Sequence, residues 1–189
     1  ESALRHERRV RAVRELAEGA FGKALKSCER GVKLFFEDER FWLVKASVLK
    51  ELGRVRETKE VYEELVRREE RPEFLVELGA CCFLLRDVHR TIELCERALS
   101  QDPEFLLAGV LLADVYRVLE DLAKSEALIE HFRPSATHPA QIQSQYYAVK
   151  ALILGARGKE SEGRVLAVEA SRIDPDNLGV LQVLRQFNP

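Results

Sequence analysis

Glycines 19, 53 and 158 each stand where an amphipathic helical stretch runs out, and aligning them gives a unit of about 34 residues. This period constrains the chain more than any figure of composition. A unit of two helices and a turn is too small to bury its own apolar stripe, so it must stack on further units. Between the prolines at 72, 103, 134, 139, 175 and 189 the chain is dense in Leu, Ala, Glu, Arg and Lys, which favour helix, and strand patterning is almost absent.

One unit can be read in full. From Glu73 to Leu84 the apolar residues fall at 74, 75, 76, 78, 80, 81, 83 and 84, a surface broad enough for a helix contacted from more than one side. After Arg86 and Asp87 the pattern restarts with Val88, Ile92, Leu94, Cys95, Ala98 and Leu99, then breaks at Asp102 and Pro103. Extended along the chain, the register predicts units at 5–38, 39–71, 72–105, 106–143 and 144–177, with 178–189 as a partial capping helix and 1–189 as a single domain. Ala46, Gly79, Ala113 and Ala151 are small enough for the two helices of a hairpin to approach closely. Pro103 and Pro175, lacking an amide donor, stop second helices.

The residues at these places resemble the tetratricopeptide repeat (TPR) family. Unit 72–105 offers Leu75, Leu78, Gly79, Cys82, Thr91, Ala98 and Pro103 at the family's pattern positions, and unit 144–177 offers Tyr147, Lys150, Ala151, Leu154, Gly163, Ala170 and Pro175. Unit 39–71 has Trp42, Ala46, Leu49, Tyr62 and Leu65, with Glu70 in place of the proline. Unit 106–143 keeps Leu112, Ala113, Tyr116 and Leu122 but departs at Phe132 and Thr137. Unit 5–38 keeps Ala12, Ala24 and Cys28 but has arginines at 8 and 11 where apolar residues belong. The resemblance implies an all-α fold, a right-handed α-solenoid of antiparallel hairpins, with Trp42, Leu75, Tyr116 and Tyr147 at least partly buried.

It also implies where a partner would lie. In that family the first helices of successive units line a concave groove, and the matching positions here include Leu43, Ser47, Lys50, Val76, Ala80, Phe83, Val110, Asp114 and Arg117. Phe83 is the largest apolar group among them and could either anchor a partner or pack on a neighbouring unit. The Lys, Arg and Asn cluster with which chaperone-binding members clamp a terminal carboxylate is replaced by Arg9 and Val13, Leu43 and Ser47, Val76 and Ala80, which speaks against a chaperone tail. An apolar middle with Lys50, Glu51, Asp114 and Arg117 around it suits an amphipathic helix or an extended peptide.

Little in the sequence points to catalysis. Zincin, Walker and nucleophile-elbow motifs do not occur, and His6, His89, His131 and His138 are scattered over different units, so neither a metal nor a cofactor is expected. Cys81 and Cys82 are adjacent and would point about 100° apart on a helix. Cys28 and Cys95 share one place in two units, so all four thiols read as packing residues in a reducing compartment, taken to be the cytoplasm. Eight glutamates between Glu57 and Glu77 read as solvated helix faces. A net charge of −2 gives no field to recruit a polyanion, which counts against nucleic acid, and no apolar run approaches the roughly 20 residues of a membrane span.

One charged feature stands out. Arg5, Arg8, Arg9, Arg11 and Arg14 are opposed only by Glu1 and Glu7 within that stretch. They form a candidate basic patch for phosphates, an anionic membrane or an acidic protein, or else the outer face of a terminal cap, or a face covered by a preceding unit. The whole predicts a non-enzymatic scaffold or adaptor within a larger assembly. The alternatives are a structural piece of a longer TPR solenoid and, behind it, a nucleic-acid module.

Overall fold

In the computed structural model, residues 2–187 are described, and among them the chain forms eleven helices and no strand. These are α1 (Ser2–Ala17), α2 (Phe21–Leu34), α3 (Glu39–Glu51), α4 (Val55–Arg68), α5 (Pro72–Leu84), α6 (Val88–Gln101), α7 (Leu106–Val118), α8 (Leu122–His131), α9 (Ala140–Ala156), α10 (Glu160–Ile173) and α11 (Leu178–Gln186). Glu1, Asn188 and Pro189, counted in the expected domain and its cap, lie outside the described residues. The all-helical class is as the sequence implies. The chain divides into two compact units, 1–87 with α1 to α5 and 88–189 with α6 to α11.

The turns closing α1, α3, α5, α7 and α9 are built alike. Each holds one residue in the left-handed region: Gly19 (φ 69°), Gly53 (66°), Arg86 (67°), Glu120 (62°) and Gly158 (76°). Around Gly53 its amide donates to the Lys50 carbonyl at 2.9 Å and the Arg54 amide to the Leu49 carbonyl at 2.9 Å, so the last carbonyls of α3 find partners. The same two bonds recur at each of the other four turns. Glycine takes this conformation without a Cβ penalty, which is why three of the five turns are visible in the sequence. Arg86 and Glu120 adopt it against their own preference.

The expected close-packed positions are buried. Ala46, Ala113 and Ala151 are fully covered, and Gly79 is buried with them. The second helices also carry buried small residues, Ala24, Thr58, Thr91, Ser125 and Gly163. In the second unit the contact is explicit. Ser125 Oγ donates to the Ala113 carbonyl at 2.7 Å, and a Cβ on Gly163 would stand 2.9 Å from the Ala151 carbonyl oxygen. Leu75 is fully buried, while Trp42, Tyr116 and Tyr147 are half-buried. Helices α6 and α10 stop two residues before Pro103 and Pro175.

Where the chain leaves the repeat pattern, bulk has changed sides. Gly109 sits where a large first-helix residue is expected, and the Phe132 ring fills the space its Cβ would occupy. Phe132, which follows the last residue of α8 and is where this unit departs from the pattern, is 7% exposed and packs with Leu106, Val110, Ala113, Ile129, Tyr146 and Ile153. In the first unit Phe41 lies over Gly31 in the same way and stacks on Phe35 at 5.8 Å. A second cluster, of α11 with α9 and α10, joins Ala148, Ala151, Ala167, Ala170, Val180 and Val183.

Two outcomes follow from this packing. Arg86→Gly and Glu120→Gly should each raise the urea midpoint, since relief of a left-handed L-residue, about 1–2 kcal/mol, outweighs glycine's larger folding entropy, about 0.5–1 kcal/mol. An unchanged or lower midpoint for both would show that the turns carry no strain. Gly109→Ala should destabilise, because overpacking against Phe132 costs about 1–3 kcal/mol and exceeds the propensity gain of about 1 kcal/mol. Adding Phe132→Leu to that variant should restore part of the loss, and equal effects in both backgrounds would exclude the ring as the cause.

Candidate partner-binding surfaces

The expected first-helix residues are divided between the two units. In the first, Leu43 is half-buried, Ser47 is exposed with its hydroxyl donating to the Leu43 carbonyl at 3.1 Å, and Lys50 reaches Glu77 at 2.8 Å, tying α3 to α5. Ala80 and Phe83 are half-buried, and Leu84 beside them is 67% exposed. Val76 is 6% exposed and Val110 4% exposed. Both are buried. Each α5 or α7 side chain at that place is covered by its neighbours, so it contributes cohesion rather than contact area.

In the second unit Arg117 donates from Nε to Asp114 Oδ1 at 2.8 Å, and both side chains are half-buried. Arg117 also lines a groove of about 580 Å³ with Leu152, Gly155, Ala156, Glu160, Ser161, Arg164, Gln186 and Phe187. Leu152, Gly155 and Ala156 come from α9, a first helix, but five of the nine lining residues come from α10, α11 and Phe187 just past it. Sequence reasoning that looked only at first helices missed these. The available signal was the pair Gly155 and Gly163, over which the Phe187 ring sits so closely that a Cβ on either would lie 3.0 Å or 2.7 Å from it.

The five arginines of α1 do not act as one group. Arg5 lies over the Phe35 ring, 5.2 Å from its centroid. Arg9 meets His6 Nδ1 at 3.3 Å, and Arg14 is exposed. Arg11 donates to Glu15 Oε1 at 3.0 Å, while Ser27 of α2 donates to Glu15 Oε2 at 2.6 Å. Glu15 is buried, and the Ser27 hydroxyl holds its carboxyl below the usual glutamate range, helped by Arg11 and opposed by desolvation.

The remaining polar chemistry is quiet. All four cysteines are free and buried; burial pushes Cys28 up to about 12 and Cys81 up to about 11, which leaves almost no thiolate at neutral pH. Between Glu57 and Glu77 the carboxylates are largely in surface ion pairs, Glu57 with Arg54, Glu63 with Lys59, and Glu64 with Arg67 and Arg68. Among the described residues no group of three or more His, Cys, Asp or Glu could hold a metal ion, and no helix is long and apolar enough to cross a membrane.

No family model and no curated protein matches the chain. Solved structures do. A thermophilic TPR protein of Thermus thermophilus matches with a TM-score of 0.74 at 18% identity over 97% of this chain and 98% of that one. MamA matches with a TM-score of 0.66 at 15% identity over 93% and 94%. YrrB, described as a TPR protein with an unusual peptide-binding site, matches with a TM-score of 0.57 at 13% identity over 92% and 88%.

The Glu15 cluster sets a pH dependence. A carboxyl whose folded pKa is lowered stabilises the fold above its unfolded value, near the ordinary 4.5, and that contribution is lost as pH falls through the folded value. The stability gap between the wild type and Glu15→Gln, measured by urea unfolding, should therefore be largest near neutrality and shrink in acid. A gap that stays constant with pH would mean that the carboxylate charge is irrelevant there.

Proposed function

We propose that this chain, which has the tetratricopeptide-repeat fold, is a protein-binding scaffold or adaptor subunit of a larger assembly and has no catalytic role. It seats an amphipathic helix or an extended segment of a partner on its first-helix surfaces. The carrying observation is the 580 Å³ groove of the second unit. Its floor is apolar, with Leu152, Ala156 and Phe187, and its rim holds both signs of charge, with Arg117, Arg164 and Glu160. Such a lining suits one anchoring side chain with polar fixing groups around it. Leu43, Ala80, Phe83 and the Lys50 to Glu77 pair give the first unit a comparable mixed surface.

Three further points support the reading. YrrB, a structural neighbour, is described as having a peptide-binding site. The Cys28 and Cys81 thiols are too weakly acidic to serve as nucleophiles, and four free cysteines accord with a reducing compartment, for which the cytoplasm is proposed. The left-handed residues at 19, 53, 86 and 120, spaced 33 or 34 apart, with the next at 158, accord with five repeats in the register given above.

The test is capture from a native extract with wild-type bait beside Ala156→Trp, a change at an exposed position that fills the groove. A partner of the groove should bind the variant about tenfold or more weakly once titrated in purified form, with thermal unfolding unmoved; equal binding by both baits would remove the groove from the proposal. Phe83→Ala probes the other surface. As an anchor it should cost about 2 kcal/mol or more of binding with melting nearly unchanged, whereas as a packing residue it should cost about 3–5 kcal/mol of stability.

A further inference from the structure

Arg8 and Arg11 stand where the repeat pattern asks for apolar packing residues, and the structure turns that departure into a groove. Leu4, Glu7, Arg8 and Arg11 follow one another at helical spacing on a single face of α1, and Ser27 and Arg30 stand one turn apart on α2. Together they line a groove of about 230 Å³. It lies apart from the first-helix positions His6, Arg9 and Val13 and belongs wholly to the first unit.

Its charge is unbalanced. Among the described residues Arg11 has a carboxylate partner in Glu15, while Arg5, Arg8, Arg14 and Arg30 have none. Elsewhere arginines at 40, 54, 67, 68, 71, 117, 133, 157 and 172 each face a carboxylate, and those at 56, 86, 164 and 185, which among the described residues do not, are scattered over different helices and a turn rather than gathered in one groove. Over residues 1–34 the sequence has nine Lys or Arg against five Glu, although the whole chain carries −2. Arg8 is also partly desolvated: its Nε is covered by protein and finds no acceptor. A cation withdrawn from water without a counter-charge is costly, and an anion on its open guanidinium edge offsets that cost.

We propose that this α1 and α2 groove is a second docking site, taking a short Asp- or Glu-rich segment of a partner protein. Arg8 and Arg30 grip its carboxylates, Arg11 being already paired with Glu15, and Leu4, 47% exposed, covers an apolar part of the segment. Planar guanidinium groups match carboxylates in paired hydrogen bonds. The groove has room for a few side chains. Its short cluster of arginines is not the continuous basic track that a strand of phosphates needs.

The test uses the full chain and a fluorescently labelled oligoglutamate peptide, read by anisotropy at low salt. Binding should be saturable and weaken as salt is raised. Arg30→Gln should weaken it about tenfold and Arg8→Gln with Arg30→Gln further still, while Arg172→Gln on α10 leaves it unchanged. Arg30 is exposed and makes no ion pair among the described residues, so the single variant remains decisive if replacing Arg8 disturbs the hairpin. Absence of saturable binding, or binding indifferent to Arg8 and Arg30, overturns the proposal. So does tighter, arginine-dependent binding of a single-stranded oligonucleotide or of phosphatidylserine vesicles. The site is independent of the second-unit groove, so Ala156→Trp should bind the peptide as the wild type does, and failure at either site leaves the other standing.

Discussion

The close approach of paired helices at small side chains is the constraint from which the rest of the structure follows. Ser125 bonds to the Ala113 carbonyl, and Gly163 lies so near Ala151 that a Cβ there would stand 2.9 Å from its carbonyl oxygen. Helices held that near must be joined by a turn that reverses within a few residues, which the left-handed residue and its two hydrogen bonds accomplish. Larger groups are then displaced toward the flanks, where neighbouring helices cover them. Bulk is conserved across each contact rather than at each position, as Gly109 and Phe132 demonstrate by exchanging roles.

That distinction separates what could be read in the sequence from what could not. Helix ends at Gly19, Gly53 and Gly158, and before Pro103 and Pro175, follow from single residues whose backbone chemistry is local. The turns at Arg86 and Glu120 were legible only through spacing, because nothing in either side chain announces a positive φ. Phe132 looked like a defect in its unit. Its explanation lies 23 residues earlier at Gly109, and a compensation across helices has no signature at either position alone.

The candidate surfaces were legible in the same uneven way. Position within a first helix located Leu43, Ser47, Lys50, Asp114 and Arg117 at or near the surface, and it also nominated Val76 and Val110, which are buried. Which flank of a helix stays open is decided by the neighbour that packs on it. Phe187, nine residues past the start of α11, helps wall the second-unit groove for that reason. The arginines of α1 were visible as a run of like charge. Their division into one stacked on Phe35, one paired with Glu15 and others left without a carboxylate needed coordinates.

The buried thiols have a consequence of another kind. Cys28, Cys81 and Cys82 belong to the first unit and Cys95 to the second. An alkylating reagent reacts with thiolate and must reach the sulfur, so labelling of the native protein waits for local opening. Modification rates read cysteine by cysteine by peptide mass therefore time the opening of each unit separately. The chain thus carries its own clocks for whether its two halves come apart together or one at a time.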